Sequence, residues 1–383
     1  MIPGWLVHGD LPPTGNRVIL SGGDSAPPEF PGYVAHWVQS GTAALALALL
    51  TARSRRPQLR NPSVILPAYG CPDLIAAAEY AGVTPVLVDI GIDDPGYDLD
   101  CLAAAIDADT IAVVAVNFLG LRERLGAIRE LLRVHPDVLL IEDNAQWYPE
   151  PARMPALAGD LVCLSFGRGK PVSLLGGGAL LIRTSQNTDI PAIQPAPEAG
   201  AALAIKAQVF NAVLNRRLYA LVNRNPLFEL GKTVFKPLEY IQALDTRRSC
   251  ALSAAAARHV RLSRWTENAW ARVFAELSLP ERLSVDPERC GRLLRYPILC
   301  RDRAQRDRLW QALDAEGLGV SAMYRVALPE VSGVAGKFRL AGDCVNARDF
   351  ADRLLTLPVH EGVTHSDIDR TIAVIDNAAV ALR

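Results

Sequence analysis

Lysine is almost missing from this chain of 383 residues: Lys170, Lys206, Lys232, Lys236 and Lys337 stand against 35 arginines among 40 basic residues. Long apolar runs are missing too. The longest clear one, TAALALALL (Thr42–Leu50), falls well short of a bilayer span, so no transmembrane helix is expected. The N-terminus MIPGWLVHGDLPP has no basic stretch followed by an apolar one, and no secretory signal is read there. The six histidines form no H-E-x-x-H or comparable cluster, which leaves a metal site unsupported. Seven scattered cysteines, odd in number and without C-x-x-C spacing, argue against a disulfide framework or zinc site and read as thiols of a reducing cytosol. A net charge of −1 excludes an overall pull toward nucleic acid or anionic membrane.

What remains is an ordinary globular composition, half of it hydrophobic, in a chain long enough for two domains. From about residue 40 to 185, short apolar runs alternate with helical patterns. SVILPAY, TPVLVDI, TIAVVAV, DVLLIED, DLVCLSF and GALLIRT read as strands. SGTAALALALLTARSRR, PDLIAAAEYAG, LDCLAAAI and LRERLGAIRELLRVHP read as helices. This alternation predicts an α/β fold with a mostly parallel sheet covered on both faces, and a ligand site at the C-terminal strand ends.

Residues 195–245 break the rhythm. AIKAQVFNAVLNRRLYALVNRNPLFELGKTVFKPLEY reads as one or two amphipathic helices inserted to pack on the body or on a partner subunit. Because Arg, Lys and aromatics interleave, a membrane-surface element is the other reading. A single long helix is expected from about Leu252 to Leu277. The strand RLLRYPILC and the helices DRAQRDRLWQALDAEG and HSDIDRTIAVIDNAAVAL then form a small α+β domain. The expected division is a large domain over 1–250 and, over 251–383, the linking helix with the small C-terminal domain.

Within SFGRGKPVS (Ser165–Ser173), Lys170 follows an apolar strand and sits between Gly169 and Pro171. A guanidinium stays charged, whereas an ammonium can lose its proton and attack a carbonyl. An arginine-rich chain therefore has reason to keep a lysine where a Schiff base forms; a surface lysine in a turn is the plain alternative. Ser40-Gly-Thr-Ala43 opens a helix whose free N–H groups make an anion site, or no more than an N-cap. Asp143, in IEDNAQ, ends an apolar strand, where a carboxylate needs a partner unless it caps a turn. Ser165 ends the next strand. Anion site, carboxylate, hydroxyl and amine together suit a phosphate-bearing aldehyde cofactor, pyridoxal 5′-phosphate (PLP). The triple glycine Gly176–Gly178 lacks G-x-G-x-x-G spacing and precedes a strand, so it reads as a tight turn.

The ordered motifs resemble the DegT/DnrJ/StrS family of PLP-dependent aminotransferases, fold type I, many of which aminate nucleotide-linked keto-sugars. They are SGTAAL (Ser40–Leu45), VILPAYGCPDLIAAAEYAGVTPVLVDI (Val64–Ile90), EDNAQ (Glu142–Gln146), S-F-x-x-x-K (Ser165–Lys170) and L-P-x-H (Leu357–His360). By position, the resemblance implies that Lys170 carries PLP as an internal aldimine and moves a proton. It implies that Asp143 keeps the pyridine nitrogen protonated, that Gln146 bonds the 3′-oxygen, and that Thr42, Ala43 and Ser165 hold the phosphate. Cys71 stands where many members stack an aromatic on the ring, with Tyr69 close by. Pro171 replaces the usual Asn after the lysine, and SCALS (Ser249–Ser253) stands for the N-Y-R-M-S element that reaches a partner's site.

The resemblance further implies amino transfer from an amino acid, Glu or Gln first, to a keto-sugar or similar ketone, nucleotide-linked or free. The setting would be polysaccharide or secondary-metabolite biosynthesis by a cytoplasmic homodimer, with 200–245 and Arg247–Ser253 as candidate crossing elements. Two other readings stay open. One is a different PLP reaction, a dehydratase or lyase; family dehydratases tend to carry histidine at the lysine position, so Lys170 argues against the former. The other is a regulatory or assembly subunit on the PLP fold, opposed by the complete lysine–aspartate–glutamine–serine set.

Overall fold

The computed structural model describes residues 3–20, 26–150, 157–186, 190–196, 200–225, 233–276 and 289–380. In chain order, α1 (Gly4–His8), β1 (Tyr33–Val38) and α2 (Gly41–Ser54) precede β2 (Ser63–Pro67) and α3 (Asp73–Ala81). Then come β3 (Thr84–Val88), a hairpin of β4 (Ile90–Gly91) and β5 (Asp94–Tyr97), α4 (Leu99–Ala105) and β6 (Thr110–Val116). α5 (Leu125–Leu131), β7 (Leu139–Asn144), β8 (Leu161–Ser165) and β9 (Gly178–Arg183) complete the alternating region. α6 (Ala201–Val213), α7 (Arg216–Asn223), α8 (Thr246–Arg261) and α9 (Trp265–Glu276) follow. The chain closes with β10 (Arg295–Leu299), α10 (Arg303–Ala315), β11 (Arg339–Leu340), α11 (Val345–Arg353), β12 (Leu354–Pro358) and α12 (His365–Val380).

Eight strands form one sheet in the order β1-β9-β8-β7-β6-β2-β3-β11. The pairs from β8 to β11 are parallel, while β9 and β1 run antiparallel at one edge. Alternation within each strand divides the cores. Val64, Leu66, Ala112, Val114, Leu139 and Ile141 face the side covered by α2. Their neighbours Ile65, Val113, Ala115 and Leu140 face the side holding Leu102 of α4 and Ile128 of α5. α2 is Ala- and Leu-rich, starts on a Ser40 cap and is buried almost all round, as the middle layer of such a fold requires.

A second core joins β10 and β12 to α9, α10 and α12 around Trp270, Phe274, Leu309, Leu313 and Leu357. The chain after residue 251 also returns to the main core, through Leu328, Val334, Ala347 and Phe350, and β11 extends the large sheet beside β3. The single long helix expected over 252–277 is broken: α8 ends at Arg261, and the Ser263 hydroxyl accepts the Trp265 N–H at 3.2 Å to start α9. Residues 233–240, expected to be helical, carry no regular structure. The rest of the expected insertion at 197–199 and 226–232 lies outside the described residues, as do Leu277 and the last three residues.

Candidate active site

At the C-terminal ends of β7 and β8, the start of α2 meets the strand ends. The Ser40 hydroxyl accepts the Ala43 N–H at 3.1 Å, and its carbonyl accepts the Ala44 N–H at 3.0 Å. The amide of Ala43, expected at the phosphate, is engaged by this cap. Of the earlier amides, that of Gly41 belongs to the parallel bridge of Ser40 with Gly177 and faces the Gly177 carbonyl, while that of Thr42 has no intrahelical partner. A Cβ at Gly41 would lie 2.6 Å from Ser165 Cβ and 2.7 Å from its Oγ, so helix start and strand end touch only because residue 41 is glycine. Ser165 thereby presents its hydroxyl beside the positive end of α2. The Thr42 hydroxyl donates to Asp73 Oδ2 at 3.1 Å, linking α2 to the start of α3.

Asp143 lies near the end of β7, opposite Cys163 of β8. Its Oδ1 accepts the Ala145 N–H at 2.9 Å, and among the described residues Oδ2 meets no donor. Burial raises its pKa, opposed by the Ala145 N–H and by the charge of Lys170. Lys170 is half-buried in a turn where Gly169 has φ +73. Its own N–H reaches the Gly167 carbonyl at 3.3 Å. No carboxylate pairs with its amine among the described residues. Lys170 also lines a cavity of about 800 Å³ shared with Arg168, Tyr219, Arg295 and Tyr324.

Cys71 follows β2, and burial, with Asp73 adding and Lys170 opposing, pushes its thiol up to about 11. It is a neutral hydrogen-bonding group beside the Tyr324 hydroxyl, not a nucleophile. Tyr69 is buried: its hydroxyl donates to the Met323 carbonyl and its ring meets Tyr324 edge-on at 5.9 Å. Gln146 Oε1 accepts the Leu119 N–H at 3.0 Å, and its Nε2 lies 3.4 Å from the Tyr324 hydroxyl.

The structure thus gathers Thr42, Cys71, Asp143, Gln146, Ser165 and Lys170 at the strand ends, with Ala43 and Tyr69 committed to support. Sequence reasoning missed Tyr324, Asp73 and Arg168. Asp73 was legible as a first-turn acid of α3, and Arg168 as a cation two residues before the lysine. Tyr324, held at φ +49 from a distant part of the chain, carried no signal. The early candidates Arg248 and Leu252 turn inward: Arg248 bonds the Leu174 carbonyl at 3.1 Å, and Leu252 is buried against strands β8 and β9.

The sequence pattern of the DegT/DnrJ/EryC1/StrS aminotransferase family matches residues 33–192 and 257–376. The chain is 35% identical over 158 residues to a UDP-N-acetyl-3-dehydro-alpha-D-glucosamine 3-aminotransferase of Acidithiobacillus ferrooxidans, covering 39% of this chain and 40% of that protein. It is 31% identical over 153 residues to a dTDP-4-dehydro-2,6-dideoxy-D-glucose 3-dehydratase of Saccharopolyspora spinosa, covering 38% of this chain and 33% of that protein. The matched stretch thus spans well under half of either relative. Among solved structures, a DegT DnrJ EryC1 StrS aminotransferase from Brucella abortus superposes with a TM-score of 0.64 at 20% identity, over 90% of this chain and 85% of that one. The architecture is the type I fold of PLP-dependent aminotransferases.

Proposed function

The chain belongs to the DegT/DnrJ/EryC1/StrS aminotransferase family, and from that premise we propose that it is a PLP-dependent aminotransferase. It takes an amino group from an amino acid, glutamate or glutamine first, and delivers it to a keto-sugar or similar ketone, nucleotide-linked or free. The observation that carries this reading is the unpaired amine of Lys170 on the cavity wall, near enough to Asp143 and Cys71 for its charge to act on both.

The residues fit the cofactor. Asp143 offers an unused oxygen to a ring N–H, and the Gly41–Ser165 contact sets the Ser165 hydroxyl beside the start of α2, where an anion is favoured. PLP supplies an aldehyde for condensation with amines and a pyridine ring that accepts electron density. Lys170 Nζ is the group that gives up and takes back a proton at the reacting carbon, a task closed to arginine. Asp143 keeps the ring nitrogen protonated by holding a negative charge beside it. Thr42, with its backbone amide, and Ser165 would hold the phosphate and so fix orientation through contacts remote from the reaction. Gln146 would bond the ring's 3′-oxygen, and Cys71 and Tyr324 would close the space beside the ring.

The lysine argues against the dehydratase reading, although two similar proteins carry that name. The same reading takes the enzyme as a cytoplasmic homodimer of polysaccharide or secondary-metabolite biosynthesis. Seven free cysteines and the family relationship support it. The test is reduction with borohydride followed by peptide mapping: one pyridoxyl adduct at Lys170 is expected, with no absorbance band in Lys170→Arg. A band that survives this substitution refutes the assignment. Half-reactions with glutamate and glutamine then identify the donor.

A further inference from the structure

Sixteen large hydrophobic side chains are exposed among the described residues, and six of them sit on three short helices packed side by side. Leu6 and Val7 of α1 are 59% and 60% exposed, Ile205 and Val209 of α6 59% and 58%, and Leu218 and Leu221 of α7 45% and 70%. The outer face of α6 is Ala201, Ala202, Ile205, Val209 and Ala212, flanked by Lys206 and Gln208. Its remaining polar residue, Asn211, turns inward and holds Val18 through both backbone groups at 2.8 and 2.7 Å. A helix apolar on its outer side as well as its inner one is built to be covered.

Charge tells what covers it. From residue 199 to 228 there is no aspartate or glutamate, while Lys206, Arg216, Arg217 and Arg224 are present. Two of these cations face inward: Arg216 pairs with Asp367 at 2.6 Å, and Arg224 with Asp10 at 2.8 Å and Asp314 at 2.6 Å. Those pairs pin the helices to the body. Lys206 and the exposed Arg217 have no acidic partner among the described residues. The described residues of α1, α6 and α7 include no carboxylate, so a two-fold pairing through these helices would set Lys206 and Arg217 against themselves. No described helix is long and apolar enough to cross a membrane, so the element would lie on a surface.

We propose that α1, α6 and α7 form a docking face for an anionic lipid bilayer, with apolar side chains in the headgroup boundary and Lys206 and Arg217 on the phosphates. The proposal is independent of the reaction catalysed, because binding is read on the protein itself. The test is co-sedimentation of the full chain with vesicles of phosphatidylglycerol and phosphatidylethanolamine, and with phosphatidylcholine alone.

Pelleting with the anionic vesicles, weakened by salt and weak on phosphatidylcholine, is the expected result. Val209→Glu with Leu221→Glu should abolish it. Lys206→Ala with Arg217→Ala, confined to surface charges, should weaken it by about thirtyfold. Wild-type protein that stays in the supernatant overturns the proposal, as does undiminished binding by the charge variant. So does a glutamate variant that pellets normally but splits an oligomer in light scattering, since the occupant is then a second copy.

Discussion

Gly41→Ala probes the contact on which the anion site depends. The added Cβ would stand 2.6 Å from Ser165 Cβ, 2.7 Å from Ser165 Oγ and 3.4 Å from Ser165 Cα. The hydroxyl can rotate away but Ser165 Cβ is fixed to the backbone, so either the end of β8 or the first turn of α2 must shift. Overpacking of this kind costs about 1–3 kcal/mol. The same shift pulls the Ser165 hydroxyl away from the Thr42 amide at the start of α2. Loss of one hydrogen bond to a charged phosphate costs about 1.5–3 kcal/mol, or roughly 10- to 100-fold in PLP affinity. Ser165→Gly removes both clashing atoms and leaves an ordinary contact at 3.4 Å. The double variant should therefore regain much of the stability lost in Gly41→Ala while binding PLP no better than Ser165→Gly alone. Urea unfolding followed by tryptophan fluorescence, and PLP titration by absorbance, read the two quantities separately. A Gly41→Ala protein as stable and as tight-binding as the parent would refute the reasoning.

Asp143→Asn should still bind PLP but lose amino transfer by orders of magnitude, because an amide cannot hold a pyridinium charge; near-normal single-turnover rates would reduce Asp143 to a turn residue. His360 is buried with Nε2 2.8 Å from the Pro12 carbonyl and Nδ1 accepting the Gly362 N–H at 3.1 Å, and burial pushes its pKa from 6.5 down to about 4. The unfolded chain then binds the extra proton first, so stability is intact above about pH 6.5 and falls toward pH 4, by at most about 1.4 kcal/mol per pH unit. His360→Gln should flatten that slope in urea midpoints measured across the window, and an unchanged slope would assign it to other groups. Light scattering at micromolar concentration should report a homodimer burying well over roughly 2,000 Å² in total; a PLP-loaded, active monomer would contradict it.

Local pattern determined a good deal by itself. Fully apolar strand runs such as SVILP and TIAVV announced a sheet covered on both faces, and they occupy β2 and β6. Ser40 announced a cap, and its hydroxyl accepts from Ala43 as an N-cap should. The scarcity of lysine singled out Lys170 before any geometry was known. These are properties of residues within a few positions of one another, which backbone periodicity and capping express directly in sequence.

Contacts between distant segments belonged to the tertiary structure. That Asp143 faces Cys163, and that Ser165 touches Gly41, follows from the order of β7, β8, β9 and β1 in the sheet. Tyr324 reaches Gln146 across 178 positions, with nothing in the spacing of either residue to announce it. The break between α8 and α9 escaped because amphipathic spacing continues through it, although Ser263 caps the second helix. The outer face of α6 was apolar in the sequence, but only the packing of Ala207, Phe210 and Asn211 on Val18 and Leu175 decided that this face, and not the opposite one, meets solvent. Periodicity fixes which residues share a face; which face is buried depends on partners that other parts of the chain supply.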